Sequence, residues 1–395
     1  MKPIRNFDNK APIAIDAMGG DRGPGEVIAG IKQAIETGAP PIVVVGDEKV
    51  IRHEFYRHRL IESVSLQVVH APDVIGMEES PSVVVRKKPL ASVRVAFELV
   101  ARGEASSVIS AGNTGAMMAA GLFAVGSLTG ILRPAIGTLI PKVGDGLPTV
   151  LIDSGANIDC SAHQLVQFGY MGSFYARSAL GIESPRVGLL SNGSESSKGT
   201  DTLRSAAVLL KQCKDINFIG YVEGRDISHD VVDVVVCDGF VGNVVLKAME
   251  GTVELVVESM RSYISKSILA KLGFMLARRQ MRRVFQDKLH PSAYGGAPLL
   301  GLNCIAIVCH GASDARAIKN AIRVAQQFGE KNLIEALDVS LAALESTESV
   351  DFEDGGMWSG ARQSIASKPK SNKVSKTTEE QDSNKKKGIE NGALS

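Results

Sequence analysis

The sequence predicts an α/β protein of three layers, αβα, built on a mostly parallel, doubly wound sheet with a protruding amphipathic helical element. Three observations predict it. Short runs rich in Val and Ile recur, each bounded by Gly, Asp, Asn or Pro. Longer segments with helical spacing lie between many of them. The runs are apolar at successive positions, as strands are when helices cover both faces of a parallel sheet.

In chain order, residues 12–15 read as the first strand and 26–36 as a helix. Runs 42–45 and 64–69 are the next strands. A helical pattern at 93–102 leads to the strand 107–110. Strands at 136–140 and 149–152 precede the helix 163–180. Strand 187–190, helix 201–212 and strands 217–222, 231–236 and 304–309 complete the series. With 395 residues, 44% hydrophobic and 22% charged, the chain can bury a large core. Residues 12–350 are expected to form one catalytic domain. Residues 1–11 are expected to be loose, and the Lys- and Ser-rich segment 356–395 has too few apolar residues to offset its entropy and should be disordered.

The formal net charge is +1, so no global field favours nucleic acid, and none is expected as a partner. Five cysteines without a C-x-x-C spacing fit a reducing compartment. The first ten residues lack an apolar signal core, and no apolar stretch reaches the ~20 residues of a spanning helix. A cytoplasmic protein, neither secreted nor transmembrane, is expected.

The strand ends carry the chemistry. They run into Asp16-Ala-Met-Gly-Gly-Asp21, Ser110-Ala-Gly-Asn-Thr-Gly115, Asp153-Ser-Gly-Ala-Asn157, Ser191-Asn-Gly-Ser-Glu195, Cys237-Asp-Gly-Phe-Val-Gly-Asn243 and Cys309-His-Gly-Ala-Ser-Asp314. Ligands of open α/β sheets bind outside the carboxyl ends of strands, and six such loops along one rim predict a site there. No Walker loop, G-x-G-x-x-G or G-x-S-x-G is present, which removes support for nucleotide hydrolysis, nicotinamide binding and an acyl-serine. Cys160 with His163, and Cys309 with His310, do not form a paired ligand set, so neither metal nor another cofactor is expected.

A small anion fits what remains, since N–H groups in Gly-rich turns at helix N-termini point at bound phosphate. Asn113, Thr114 and Gly115 form one such turn. Asn157, Gly242 and Asn243 are further candidates, Asn243 lying just before a helix at 244–249 with Lys247 one turn in. Lys198 supplies a positive charge, and Asp16, Asp153 and Asp238 either orient loops or cap them. His310 is a candidate acid or a structural histidine.

The protruding amphipathic element is expected over residues 255–290, and within it residues 261–283 contain seven Lys or Arg and no acid. Ile264, Ile268, Leu272 and Met275 recur at helical spacing, Phe274 extends the apolar face, and Arg278 and Arg279 follow. Gly273 marks a kink or turn. A basic helix with an apolar face fits a membrane surface, or a core-packing helix with a solvated basic side.

Taken together, the motifs resemble one family, the acyl-carrier-protein:phosphate acyltransferases of bacterial phospholipid synthesis. The resemblance covers nearly all of residues 12–345 and rests on residues 14–21, 110–116, 153–157 and 237–243, on Gly295-Gly-Ala-Pro-Leu-Leu-Gly301 and on His310-Gly-Ala-Ser-Asp-Ala315. It implies an αβα fold like those of phosphotransacetylases and isocitrate dehydrogenases, a homodimer, and peripheral attachment to the inner face of the cell membrane through the basic helix. It implies a reaction of acyl carrier protein thioester with phosphate, giving an acyl phosphate for a downstream membrane glycerol-phosphate acyltransferase. The family's Asn-Ile-Gly-x-Glu pattern is displaced here, as Ser191-Asn192-Gly193-Ser194-Glu195, which leaves Asn192 without an assigned role. The expected mechanism is direct attack of phosphate on the thioester. Asn113, Thr114, Lys198 and Asn243 would hold the anion, and His310 would protonate the leaving thiolate. A phosphotransacetylase acting on short acyl-coenzyme A, and a non-enzymatic membrane scaffold, are the alternatives.

Overall fold

The computed structural model describes residues 11–289 and 291–347. The expected loose segments at either end fall almost entirely outside the described residues. An 11-stranded sheet runs in the spatial order β3-β2-β1-β4-β11-β10-β5-β6-β9-β7-β8. The strands are β1 (Ile13–Asp16), β2 (Ile42–Gly46), β3 (Leu66–His70), β4 (Ser107–Ser110), β5 (Ala135–Ile140), β6 (Thr149–Ile152), β7 (Arg186–Leu190), β8 (Asn217–Val222), β9 (Val234–Val236), β10 (Ala297–Leu300) and β11 (Ile305–Val308). The helices are α1 (Pro24–Ile35), α2 (Glu48–His58), α3 (Ser82–Arg86), α4 (Ser92–Arg102), α5 (Thr114–Ala124), α6 (Ala162–Leu180), α7 (Asp201–Gln212), α8 (Gly239–Ser265), α9 (Ile268–Arg282), α10 (Ala315–Glu330) and α11 (Leu333–Thr347).

Alternation along β1 divides its residues between two apolar clusters, and a third, smaller one with Leu151, Val222 and Val235 lies in the other part of the sheet. Ile13 and Ile15 of β1 join a cluster containing Ile28 of α1, Phe168 of α6 and Ile318 of α10. Ala14, between them, joins Val43, Val108, Phe97 of α4 and Met117 of α5. Phe97 and Phe168 are fully buried, each worth about 1.5–3 kcal/mol relative to exposure. Helix starts follow their caps. Ser161 and Gln164 form a reciprocal capping box on α6, and Asp314 accepts from Ala317 N–H on α10 (2.9 Å). On α1, a side chain at Gly30 would meet Ile318 Cβ at 2.6 Å, so glycine lets α1 and α10 pack closely.

The expectation of one rim is corrected. Three neighbouring pairs, β11–β10, β10–β5 and β5–β6, are antiparallel. They split the sheet into two parallel blocks, β3-β2-β1-β4-β11 and β6-β9-β7-β8, which run in opposite directions. The loops after β1, β4 and β11 belong to the first block, and those after β6, β7 and β9 to the second. Composition of a strand carries no direction, and the strand that begins the reversal, β10, contains Pro298, which disguises it in the sequence. Pro298 is tolerated where β10 changes partner, from Ile307 of β11 to Ile136 of β5 through Leu299.

The amino ends of the second block are tied by an ion cluster. Lys142, just after β5, meets Asp233 at 2.8 Å, and Arg186 meets Asp233 at 2.8 Å and Asp230 at 2.6 Å. Asp233 immediately precedes β9, so the expected strand at 231–236 is shortened to Val234–Val236.

The basic segment is also redrawn. The 27-residue α8 runs to Ser265, and the chain breaks at Lys266–Ser267, where Ser267 Oγ accepts from Ala270 N–H (3.3 Å) to start α9. Gly273 lies inside α9 and marks no turn. A serine cap that satisfies a helix N-terminus competes well against one helical glycine, which costs only about 1 kcal/mol.

Candidate active site

The loop after β1 is held by Asp16, which is 3% exposed. Its carboxylate accepts from Met18 N–H (3.0 Å), Gly19 N–H (3.2 Å) and Ser110 Oγ (2.7 Å). Ser110 in turn accepts from Gly112 N–H (3.1 Å), and Asp21 N–H donates to Gly311 O (2.8 Å). The loops after β1, β4 and β11 therefore form one packed unit. A small pocket here is lined by Asp16, Gly19, Ser110, Gly112 and Asn113, and by the apolar Val74, Ile75, Val93 and Ala116.

Asn113 caps α5. Its Oδ1 accepts from Ala116 N–H (3.0 Å), while its Nδ2 donates to Met77 O (2.8 Å) and Glu79 O (3.0 Å). Its side chain is thus committed to the cap and to residues 77–79. What it leaves for an anion is the pair of first-turn N–H groups on Thr114 and Gly115, which have no intrahelical acceptor.

In the second block, Asp153 is fully buried at the end of β6. It accepts from the N–H groups of Ile136 (3.0 Å), Gly155 (3.2 Å), Ala156 (3.1 Å) and Asn157 (2.7 Å) and from Asn157 Nδ2 (2.9 Å). Burial pushes its pKa up, and these donors oppose the rise. Asn157 is 2% exposed, and its Nδ2 also donates to Pro134 O (2.8 Å). Its Oδ1 has no hydrogen-bond partner among the described residues.

Asp238 caps α8 through Val241 N–H (2.9 Å), so the helix begins at Gly239 and not at 244 as expected. Gly239 N–H donates to Asn157 O (2.6 Å), and a side chain at Gly242 would collide with the Asp153 carbonyl oxygen. Asn243 is therefore inside α8, exposed, beside Gly155.

Further along α8, Lys247 Nζ lies 2.6 Å from His310 Nε2 and donates to Glu250 Oε2 (2.8 Å). This contact joins the first turns of α8 to the loop after β11, and so links the two blocks. Lys247 was legible as lying one turn into a helix that follows Asn243; that Asn243 is on the same helix was not, and the meeting of Lys247 with His310 needed the strand reversal.

Lys198 sits exposed in the loop after β7, where its N–H donates to Glu195 O (3.0 Å). Among the described residues no side-chain contact joins it to Asp153, Asn243 or His310. Asn192 Oδ1 accepts from Gly199 N–H (3.1 Å), which gives Asn192 a role in holding this loop.

Two thiols border Asp153. Cys237 Sγ faces Asp153 O (3.4 Å) and Cys160 Sγ faces Asn157 O (3.7 Å). Burial, then the charges of Asp153 and Asp238, push Cys160 up to about 12 and raise Cys237 as well. Such thiols stay protonated and are poor nucleophiles. Among the described residues the arrangement supplies backbone donors, a Lys–His pair and no activated nucleophile, which suits positioning of an anion better than covalent catalysis.

The α8–α9 hairpin is where the sequence places a membrane contact. No residue of α9 is buried. Ile268 is 86% exposed, Leu272 52%, Met275 62% and Phe274 38%. Ile264, on α8, is half-buried, and Arg278 and Arg279 are exposed. Among the described residues no helix is long and apolar enough to cross a membrane.

The fatty acid synthesis protein family matches residues 11–336 of this chain. A phosphate acyltransferase of Pelotomaculum thermopropionicum is 50% identical over 333 residues, covering 84% of this chain and 96% of the relative. A phosphate acyltransferase of Geobacter sulfurreducens is 46% identical over 325 residues, covering 82% and 92%. That of Syntrophotalea carbinolica is 47% identical over 345 residues, covering 87% and 98%. Among solved structures, a phosphotransacetylase from Streptococcus pyogenes superposes with a TM-score of 0.55 at 17% identity, covering 81% of this chain and 95% of that one. The EutD phosphotransacetylase from Staphylococcus aureus gives 0.51 at 16% identity, covering 82% and 96%. These two likenesses concern the fold.

Proposed function

Since the chain belongs to the fatty acid synthesis protein family, and its relatives are phosphate acyltransferases, we propose that it transfers a long-chain acyl group from acyl carrier protein to inorganic phosphate. The acyl phosphate then serves a membrane glycerol-phosphate acyltransferase on the way to phosphatidic acid. The observation that carries the reading is the Lys247–His310 contact, which brings the α8 turns bearing Asn243 against the loops that adjoin the α5 N-terminus. Phosphate binds there without a metal or cofactor, held by the N–H groups of Thr114 and Gly115, by Asn243 and by Lys198. Asp16, Asp153 and Asp238 act one step back. They hold the loops and the α8 start in place, and Asn157 and Gly242 seat α8 against Asp153.

Phosphate oxygen attacks the thioester carbonyl directly. Backbone N–H groups receive the developing oxyanion, a contribution of about 3–4 kcal/mol per donor in comparable sites. Residues 12–350 form the catalytic domain. The α8–α9 hairpin rests on the membrane by its apolar and basic residues, and the exposed Phe240, Val244 and Leu255 of α8 are covered by a second copy of the chain.

The test incubates the protein with phosphate and long-chain acyl carrier protein and traps acyl phosphate with hydroxylamine. Phosphate-dependent hydroxamate, and much less from acetyl-coenzyme A, is the expected result. Product from acetyl-coenzyme A alone would assign a phosphotransacetylase, and no product from either would assign a scaffold.

A further inference from the structure

Asn192, in the displaced motif after β7, is tied to Lys198 through one peptide. Its Oδ1 accepts from Gly199 N–H (3.1 Å), the amide that directly follows Lys198. The carbonyl of Gly199 accepts from Arg204 Nη1 on α7 (2.6 Å). Gly199 is thus held from the strand side by Asn192 and from the helix side by Arg204. It lies at φ +82°, in the left-handed region that favours glycine, so the chain turns sharply straight after Lys198. Asn192 is anchored in turn. The residue before it, Ser191, donates its N–H to Val222 O of β8 (2.9 Å), and Ser191 Oγ donates to Asn192 Oδ1 (3.4 Å).

Lys198 is held along its length, up to its charged end. Its N–H donates to Glu195 O (3.0 Å). Its stem lies over Gly193, where a Cβ would stand 3.0 Å from Lys198 Cγ, 3.5 Å from Cδ and 2.7 Å from Glu195 Oε2. A side chain at 193 would push that stem aside. The ammonium itself meets no acceptor among the described residues, although Glu195 is only three positions away. A lysine with a fixed backbone and stem and an unpaired charge is arranged in advance for an anion that arrives from outside. The loop opens on the rim of the second block, because β7 runs parallel to β9, and β9 to β6.

We propose that Asn192 is a positioning residue for phosphate binding. It fixes the Gly199 peptide, and with it the base of Lys198, so that the ammonium meets phosphate without the loop having to be ordered first. Gly193 serves the same end by leaving room for the stem. The inference rests on the acyl-transfer reading above, in which Lys198 holds the anion.

The test measures kcat and phosphate KM for the full chain, for Asn192→Ala, for Lys198→Ala and for the double variant, with long-chain acyl carrier protein as donor. Calorimetric titration with inorganic phosphate reads the same ratios where turnover is too slow. Asn192→Ala should weaken phosphate about 10-fold, with kcat within about twofold of the parent. Asn192 is exposed, so the variant should keep the parent melting temperature. In a chain already carrying Lys198→Ala, adding Asn192→Ala should change phosphate affinity by less than about twofold. Parental phosphate KM in Asn192→Ala would overturn the proposal. So would a loss of affinity that persists without Lys198, since Asn192 would then act by some other route, and so would a fall in kcat at unchanged KM. Lys198→Ala with parental phosphate affinity would remove the premise and the proposal together. An inactive parent chain that still binds phosphate, with the Asn192→Ala and Lys198→Ala losses intact, would defeat the acyl-transfer reading and leave the positioning role standing.

Discussion

At the residue scale, Asp153 organises the second block's end of the site. One carboxylate collects four backbone N–H groups and the Asn157 amide, and the backbone carbonyl of the same residue receives Gly242 of α8. Asp153→Asn would turn one acceptor oxygen into a donor that faces other donors. Unfolding in urea should show a loss of about 2–3 kcal/mol, the cost of buried donors left unpaired, and kcat should fall with it because the α8 start shifts. Unchanged stability would contradict this role. The sequence made Asp153 legible as a loop or cap residue, since Asp before Gly at a strand end is a turn signal. It also singled out Asn113 and Asn243, but not how they are used. Asn113 spends its side chain on residues 77–79, a long-range contact that no local pattern encodes. Lys247 was visible as a basic residue four positions after Asn243. Its partner His310 lies 63 residues away, across a strand reversal.

At the element scale, local pattern located most strands to within one or two residues, because doubly buried Val/Ile runs are unambiguous when short and Gly-bounded. Thr149–Ile152 and Asn217–Val222 coincide with their runs. β10 escaped because Ala-Pro-Leu-Leu is short and contains proline, and with it escaped the antiparallel seam that sets the two blocks against each other. The α8–α9 hairpin was legible as basic and amphipathic, while its hinge was misplaced. Its apolar residues find no cover among the described residues, so the hairpin should bind anionic phospholipid vesicles. Leu272→Glu with Met275→Glu should lower vesicle affinity at least about 10-fold, through lost burial of two large side chains. Added salt should weaken what binding remains, through Arg278 and Arg279. Solution turnover should be unaffected. Vesicle co-sedimentation checks this, and parental binding by the double variant would contradict the surface assignment.

At the scale of the whole molecule, the sheet's second block depends on charges at the end away from the site. Burial alone would raise the Asp233 pKa, but hydrogen bonds from Arg186 and Lys142 outweigh it and hold the carboxyl well below the usual carboxylate range. A depressed folded pKa contributes stability that is present above the unfolded value, near 3.9, and is lost as pH falls toward the folded one. Melting temperature should therefore hold above about pH 5 and fall as pH drops below about 4. Asp233→Ala should be less stable at neutral pH by about 3 kcal/mol, because it strips the buried Lys142 of its closest partner. The same variant should lose part of the acid dependence. A parental acid limb in Asp233→Ala would show that other carboxylates govern it. The central claim, however, is that phosphate itself attacks the thioester. Intact-mass spectrometry of the protein, with the free carrier thiol counted, after incubation with long-chain acyl carrier protein in the absence of phosphate tests it most directly. Direct attack predicts an unmodified protein and no free carrier until phosphate is added. A protein mass raised by one acyl group, with an equal amount of free carrier released before phosphate is added, would contradict the account.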